Sequence, residues 1–190
     1  MSIKNYIDEE SRRLNRTVTQ RNVGTQTSPG GKARSINLAV GEPYFETPEV
    51  VKEATVKAIQ NGAMRCTDHR GLPTLREAIA GDVNRRWSSD VTSDHVVVTS
   101  GGKQAVDHVI RAVLEPGDEA IVISPYFYAY PRQIELTHAK LSVVSTNEPD
   151  GFIPDPDRVA AAKSNRTRLL IVNSPCNPTG AVYPRVCDGK

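Results

Sequence analysis

From residue 94 onward, short unbroken apolar runs alternate with stretches in which apolar residues recur every three to four positions. The runs at 95–99, 119–123, 140–144 and 169–172 are rich in Val, Ile and Leu, and they read as buried strands. Helices are predicted between them at 104–114, 130–137 and 155–163. Continuous apolar strands separated by helices predict an α/β chain with a mainly parallel sheet covered on both faces, in a partial three-layer α/β/α arrangement. Upstream the pattern is helical. Residues 49–60 place Val50, Val51, Ala54, Ala58 and Ile59 on one face, with Thr47-Pro48 as N-cap and first helical residue and Asn61-Gly62 closing the end. Residues 74–87 place Leu75, Ile79, Val83 and Trp87 at helical spacing, and Trp87 reads as core. Residues 36–40 are a short extended segment running into a turn at Gly41 and Pro43, and 1–14 hold a possible short helix.

This pattern divides the chain into residues 1–35, a flexible basic arm, 36–48, an extended segment, and 49–190, an α/β unit. Composition adds little. The chain has 190 residues, 38% hydrophobic and 24% charged, which is ordinary for a globular protein. A net charge of +2 implies neither nucleic acid nor a membrane surface as partner. No apolar run approaches the roughly 20 residues of a membrane span. The N-terminus lacks an apolar signal core, and Cys66, Cys176 and Cys187 form neither a disulfide framework nor a zinc site, so a reducing cytoplasm is expected. The four histidines have no metal-ligand spacing, and Ser100 and Ser124 have no evident base.

Candidate chemistry collects at the carboxyl ends of the predicted strands, where open α/β sheets place ligands. Ser100-Gly101-Gly102-Lys103 joins a strand to a helix. Its glycines let backbone N–H groups turn toward one point, and the helix start adds unpaired donors and a positive dipole end, a combination that binds phosphate. Glycines also close many such turns for steric reasons alone. Tyr126, Phe127, Tyr128 and Tyr130 follow the second strand, either as core or as an aromatic face able to stack on a planar ring. The fourth strand ends in Asn173-Ser-Pro-Cys-Asn-Pro-Thr-Gly180, which is either an ordinary proline-rich connection or a rigid loop presenting Asn177 to a ring oxygen or a carboxylate. A phosphate loop, an aromatic plate and an amide on neighbouring strand ends suit a phosphorylated aromatic cofactor.

Six segments in order carry a resemblance. They are Gly41-Glu-Pro with Thr47-Pro48, the stretch from Arg70 to Ala78, the stretch from Val97 to Ala105, Pro116-Gly-Asp118, the stretch from Pro125 to Pro131, and the stretch from Asn173 to Tyr183. Over about residues 36–184 the chain resembles class I aminotransferases of the aspartate aminotransferase type, pyridoxal-phosphate enzymes of fold type I. The resemblance implies that residues 49–190 are the N-terminal part of the cofactor-binding large domain and that 36–48 joins the small domain. It implies a phosphate cup at Gly101, Gly102 and Lys103, ring stacking by Phe127, and Asn177 bonded to the ring oxygen and holding the substrate carboxylate. It implies backbone contact from Gly41 to that carboxylate, a homodimer, and amino-acid and 2-oxo-acid substrates. Ser124-Pro125 and Asn177-Pro178 become candidates for cis geometry. The implied sheet order is 3-2-4-5-6-7-1, so the second, third and fourth strands of this chain pair and the first stands apart.

The resemblance also marks departures. Cys66 stands where the family often has a tyrosine that reaches the partner subunit's cofactor phosphate, and the arm before residue 36 lacks an apolar helix. The family's pyridinium-pairing aspartate, Schiff-base lysine and carboxylate-clamping arginine have no counterpart in the 190 residues. No catalytic residue is therefore assigned, and the chain is expected to be C-terminally truncated and inactive alone. Two alternatives stay open: a non-catalytic fragment that binds an intact aminotransferase subunit, and a relative of the lyases and synthases that share these early motifs.

Overall fold

The structure, a computed structural model, describes residues 45–184. The arm at 1–35, the extended segment at 36–40, Gly41 and Cys187 lie outside the described residues. Two units divide the chain, Met1–Cys66 and Thr67–Lys190. In the first, helix α1 spans Glu49–Gln60. Pro48 stands just before the helix as its N-cap, with φ −52° and ψ 139°, so the expected cap at Thr47 moves on by one residue. Proline's fixed φ suits that place as well, and the Pro48 carbonyl accepts from the N–H groups of Val51 and Lys52 at 2.9 and 3.3 Å. The C-terminus closes at Asn61 and Gly62 as the sequence predicts, with Gly62 at φ +80°.

The second unit opens with α2, Pro73–Trp87, which has proline in its first turn. Its inward stripe differs from the expected one. Arg76 and Ala80 are buried, Ile79 and Val83 are half-buried, and Leu75 and Trp87 are exposed. The Arg76 guanidinium turns inward because acidic partners wait for it: Asp94 lies at 3.6 Å and Asp68 at 3.9 Å. Trp87, the last residue of the helix, is 69% exposed rather than core.

Three strands form a parallel sheet in the order β2-β1-β3: β1 Glu119–Ser124, β2 Lys140–Ser145 and β3 Thr167–Ile171. This is the order the resemblance implies for the second, third and fourth predicted strands. The expected first strand at 95–99 is not one. A 3-10 turn takes Ser93–His95, Val96 after it is extended, and residues 96–99 do not pair with the sheet. Three consecutive valines there favour extended backbone. The segment's recorded backbone bond outside its own turn runs from the Val98 N–H to the Arg70 carbonyl, at 2.9 Å.

Helices α3, Gly102–Val113, and α4, Ala129–Glu135, pack on one face of the sheet. The core they enclose joins Ile110, Leu114, Ala120, Val122, Tyr130 and Ile134. Ile110, Ile134 and Val122 are the largest fully buried side chains. Burying each contributes about 1.5–3 kcal/mol. Helix α5, Pro156–Ala161, starts from Asp155, whose carboxylate caps the Asp157 N–H at 2.9 Å. No helix among the described residues is long and apolar enough to cross a membrane.

Glu119 fixes the amino ends of the strands. It is buried at the start of β1, and its Oε1 accepts from Thr167 Oγ1 of β3 at 2.7 Å and from Ser164 Oγ at 3.1 Å. Lys140 of β2 lies 3.5 Å from Oε2. The register between β1 and β3 slips by one residue at this point, between Glu119 and Ala120.

Candidate functional site

The carboxyl ends of β1 and β3 lead into two loops, one aromatic and one rich in proline. After β1 the chain passes through a cis Ser124-Pro125 bond to Tyr126, Phe127 and Tyr128 and then into α4. Thr146 holds this exit, donating to the Ser124 carbonyl through both Oγ1 and N–H, at 2.7 and 2.9 Å. The Phe127 ring packs edge-on against Tyr130 at 5.6 Å and tilted against Tyr128 at 4.7 Å. Both readings of the aromatic cluster hold in part: Tyr130 is core, Phe127 is half-buried, and Tyr128 is 62% exposed.

The glycine turn precedes α3. Gly101 has φ +84°, a conformation that favours glycine, and a Cβ added at Gly101 or Gly102 would meet no atom within 4 Å. The N–H groups of Gly102 and Lys103 lie at the helix start, where no preceding turn supplies a carbonyl. Lys103 leaves this turn and reaches the aromatic loop. Its Nζ donates to Tyr128 Oη at 2.7 Å and lies 5.0 and 5.9 Å from the Tyr128 and Phe127 ring centroids. Lys103 and Tyr128 are exposed, so the attraction between this cation and ring is worth about 0.5–1 kcal/mol. Gln133 of α4 is buried and donates to the Lys103 carbonyl at 2.9 Å, locking the glycine turn to the aromatic helix. The sequence signal for Gln133 is an amide on the inward face of an otherwise apolar helix, and sequence reasoning passed over it.

The proline-rich loop closes on itself. The Cys176 N–H donates to the Ala181 carbonyl at 2.8 Å, and the Gly180 N–H to the Cys176 carbonyl at 2.7 Å. Ser174-Pro175 and Asn177-Pro178 are cis, so one expected bond is found beside one that was not foreseen. Cys176 is buried, and its thiol donates to the Pro125 carbonyl at 3.3 Å, tying this loop to the aromatic one. Sequence reasoning treated Cys176 only as an unpaired cysteine. Its neighbour Tyr183 has its phenol pushed up to about 12, first by burial and then by the Cys176 side chain. Tyr130 is raised for the same leading reason. Asn177 is exposed, and its side chain has no recorded hydrogen-bond partner among the described residues.

The structure thus sets the Lys103 ammonium 5.9 Å from the centre of the Phe127 ring and joins the loop of Asn177 to that of Phe127 through Cys176 and Pro125. Gly41 lies outside the described residues. What results is an open polar edge with a cation, free N–H groups, an aromatic ring and an unpaired amide.

Comparisons with known proteins agree in direction. The model of the family "Aminotransferase class I and II" matches residues 33–186. The chain is 46% identical over 150 residues to the aspartate/prephenate aminotransferase of Thermus thermophilus, covering 79% of this chain and 39% of that protein. It is 44% identical over 150 residues to the aspartate aminotransferase of Thermotoga maritima, covering 79% and 40%. Among solved structures, Thermus thermophilus aspartate aminotransferase with maleate matches at a TM-score of 0.75 and 46% identity, over 77% of this chain and 38% of that one. Aspartate aminotransferase from Thermotoga maritima matches at a TM-score of 0.79 and 38% identity, over 97% and 46%. The chain spans about two fifths of the length of the curated relatives it matches.

Proposed function

The chain belongs to the class I and II aminotransferase family, and from that premise we propose that it supplies the phosphate-and-ring side of a pyridoxal 5′-phosphate site in an aspartate-type aminotransferase. One observation carries the reading: Lys103 leaves an open glycine turn at a helix start and sets its ammonium beside the half-buried ring of Phe127. The residues present fit the group. The turn at Gly101 and Gly102 has room for an anion, and the free N–H groups and the cation match phosphate in charge and hydrogen bonding.

When bound, the cofactor supplies an electron sink for the α-carbon of an amino acid. The roles of the chain's own residues follow from their chemistry. The N–H groups of Gly102 and Lys103 donate to the phosphate, and the Lys103 ammonium adds charge. Phe127 lays an apolar ring against one face of the pyridine and excludes water there. The Asn177 amide donates to the ring oxygen and toward the substrate carboxylate, with the Gly41 backbone as a further carboxylate contact. The proton transfer at the α-carbon needs a lysine that these 190 residues do not assign, so the chain alone is proposed not to complete the reaction.

For the whole protein the proposed substrates are an amino acid and a 2-oxo acid, acidic ones by analogy with the aspartate and prephenate of the relatives' names. A homodimer and a cytoplasmic location are proposed with them. The test is titration of the purified chain with pyridoxal 5′-phosphate, followed by absorbance. Saturable binding, weakened about tenfold by Lys103→Ala as befits loss of a charge-assisted contact, is the expected result. Absence of saturable binding, or binding indifferent to Lys103→Ala, refutes the reading.

A further inference from the structure

The phosphate-side turn has an unusual support. Residues 96–99 deliver it, yet they pair with no strand of the sheet. What holds them is the loop that precedes α2. The Val98 N–H donates to the Arg70 carbonyl at 2.9 Å, and the Gly71 N–H donates to the Asp68 carbonyl at 2.8 Å. Gly71 has φ +103°, and a Cβ placed on it would lie 2.6 Å from Val98 Cγ2 and 2.7 Å from Val98 Cβ. The two backbones therefore approach as closely as they do because residue 71 has no side chain.

A charged cluster holds the same two segments at their other end. Asp94, in the turn before Val96, faces Arg70 at 3.4 Å and Arg76 at 3.6 Å. Asp68 faces the same two arginines at 3.8 and 3.9 Å, and its carboxyl is held below the ordinary value, chiefly by the Arg70 backbone N–H. Arg76 is buried and its Nε has no hydrogen-bond partner, so these two carboxylates balance its charge as ion pairs.

We propose that Gly71, with the Asp94–Arg70–Arg76 cluster, positions the cofactor-phosphate turn at 100–103, acting through Val98. The inference rests on the proposed phosphate role of that turn. A side chain at residue 71 must push Val98 outward by most of an ångström to reach ordinary contact. Val98 lies two residues before Ser100, so the push passes along a short stretch of backbone into the turn. Hydrogen bonds to a phosphate are sensitive to shifts of that size, whereas stacking on Phe127 is not.

The experiment compares two probes on the purified chain, pyridoxal 5′-phosphate and pyridoxal, which lacks the phosphate. Gly71→Ala should weaken the phosphorylated probe about tenfold and leave pyridoxal within about twofold. Val98→Gly in that background removes both atoms the new Cβ meets and should recover part of the loss. If Gly71→Ala does not fold, Asp94→Asn is read instead, and it should lower affinity for the phosphorylated probe selectively and by several-fold. Equal loss of both probes marks a general structural role and overturns the proposal. So does unchanged affinity for the phosphorylated probe, or a double variant that recovers nothing. Failure of the unsubstituted chain to bind the phosphorylated probe is a different result: it removes the phosphate role of the turn, and the inference with it.

Discussion

Replacing Glu119 by Ala should destabilise the second unit by about 1.5–3 kcal/mol, the usual contribution of hydrogen bonds to a charged group. The structure sets the components. The substitution removes an acceptor 2.7 Å from Thr167 Oγ1 and 3.1 Å from Ser164 Oγ, in a side chain 7% exposed. Lys140, 76% exposed, stays solvated, so its loss counts for little. Glu119→Gln keeps the volume and one oxygen, and should cost about half as much. Urea unfolding monitored by circular dichroism measures both. The pH dependence gives an independent check. The Glu119 carboxyl is held below its ordinary value of 4.5, first by the Thr167 hydroxyl and then by the Ser164 hydroxyl and Lys140. A lowered folded-state value means that the stabilisation is fully present above about 4.5 and is lost as pH falls through the folded-state value. Stability of the unsubstituted chain should therefore decline in acid more steeply than that of Glu119→Gln. A cost below about 0.5 kcal/mol for Glu119→Ala, or parallel acid profiles, would show that the carboxylate is not the tie between strand ends described above.

Three further outcomes are expected. Ile110→Ala, at a fully buried position of α3, should cost about 2–5 kcal/mol in the same urea assay, since it leaves a cavity at the centre of the core. Cys176→Ala should cost no more than about 1 kcal/mol of stability, yet weaken pyridoxal 5′-phosphate binding by loosening the Pro125 tie, and Cys176→Ser should restore much of that binding. Ultraviolet titration of the phenols should show a component near 12 that disappears in Tyr183→Phe, while titration of all the phenols near 10 would contradict the burial described for Tyr183.

Legibility in the sequence followed the strength of local signals. Helix α1 ends where Asn61-Gly62 says it ends, and the three paired strands fall on the apolar runs at 119–123, 140–144 and 169–172. The run at 95–99 carried an equally strong signal and still does not pair, because pairing depends on neighbours and not on valines alone. The inward face of α2 was misread because a helical-periodicity argument assigns an arginine to solvent, whereas Arg76 has two carboxylates to meet. At the site, Gly101 and Lys103 announced themselves through the glycine turn. The tie from Cys176 to Pro125 did not, because it joins positions 51 residues apart through a thiol that no local pattern distinguishes. Gly71 was visible only as part of the stretch from Arg70 to Ala78, since its reason for being glycine is the side chain of Val98.

Glu119 and the site residues occupy opposite ends of the same short strand. The polar anchor sits at the amino end of β1, and the cis-proline, the aromatic loop and the tie to Asn177's loop sit at the carboxyl end. A strand of this length spans roughly 20 Å, beyond a Debye length at physiological salt, so charge changes at one end are barely felt at the other. Divergence among related chains can therefore proceed on two independent fronts. Substitutions around Glu119 and Lys140 can retune robustness to heat or acid while the loops beyond Ser124 and Ile171 are remodelled for a different ligand.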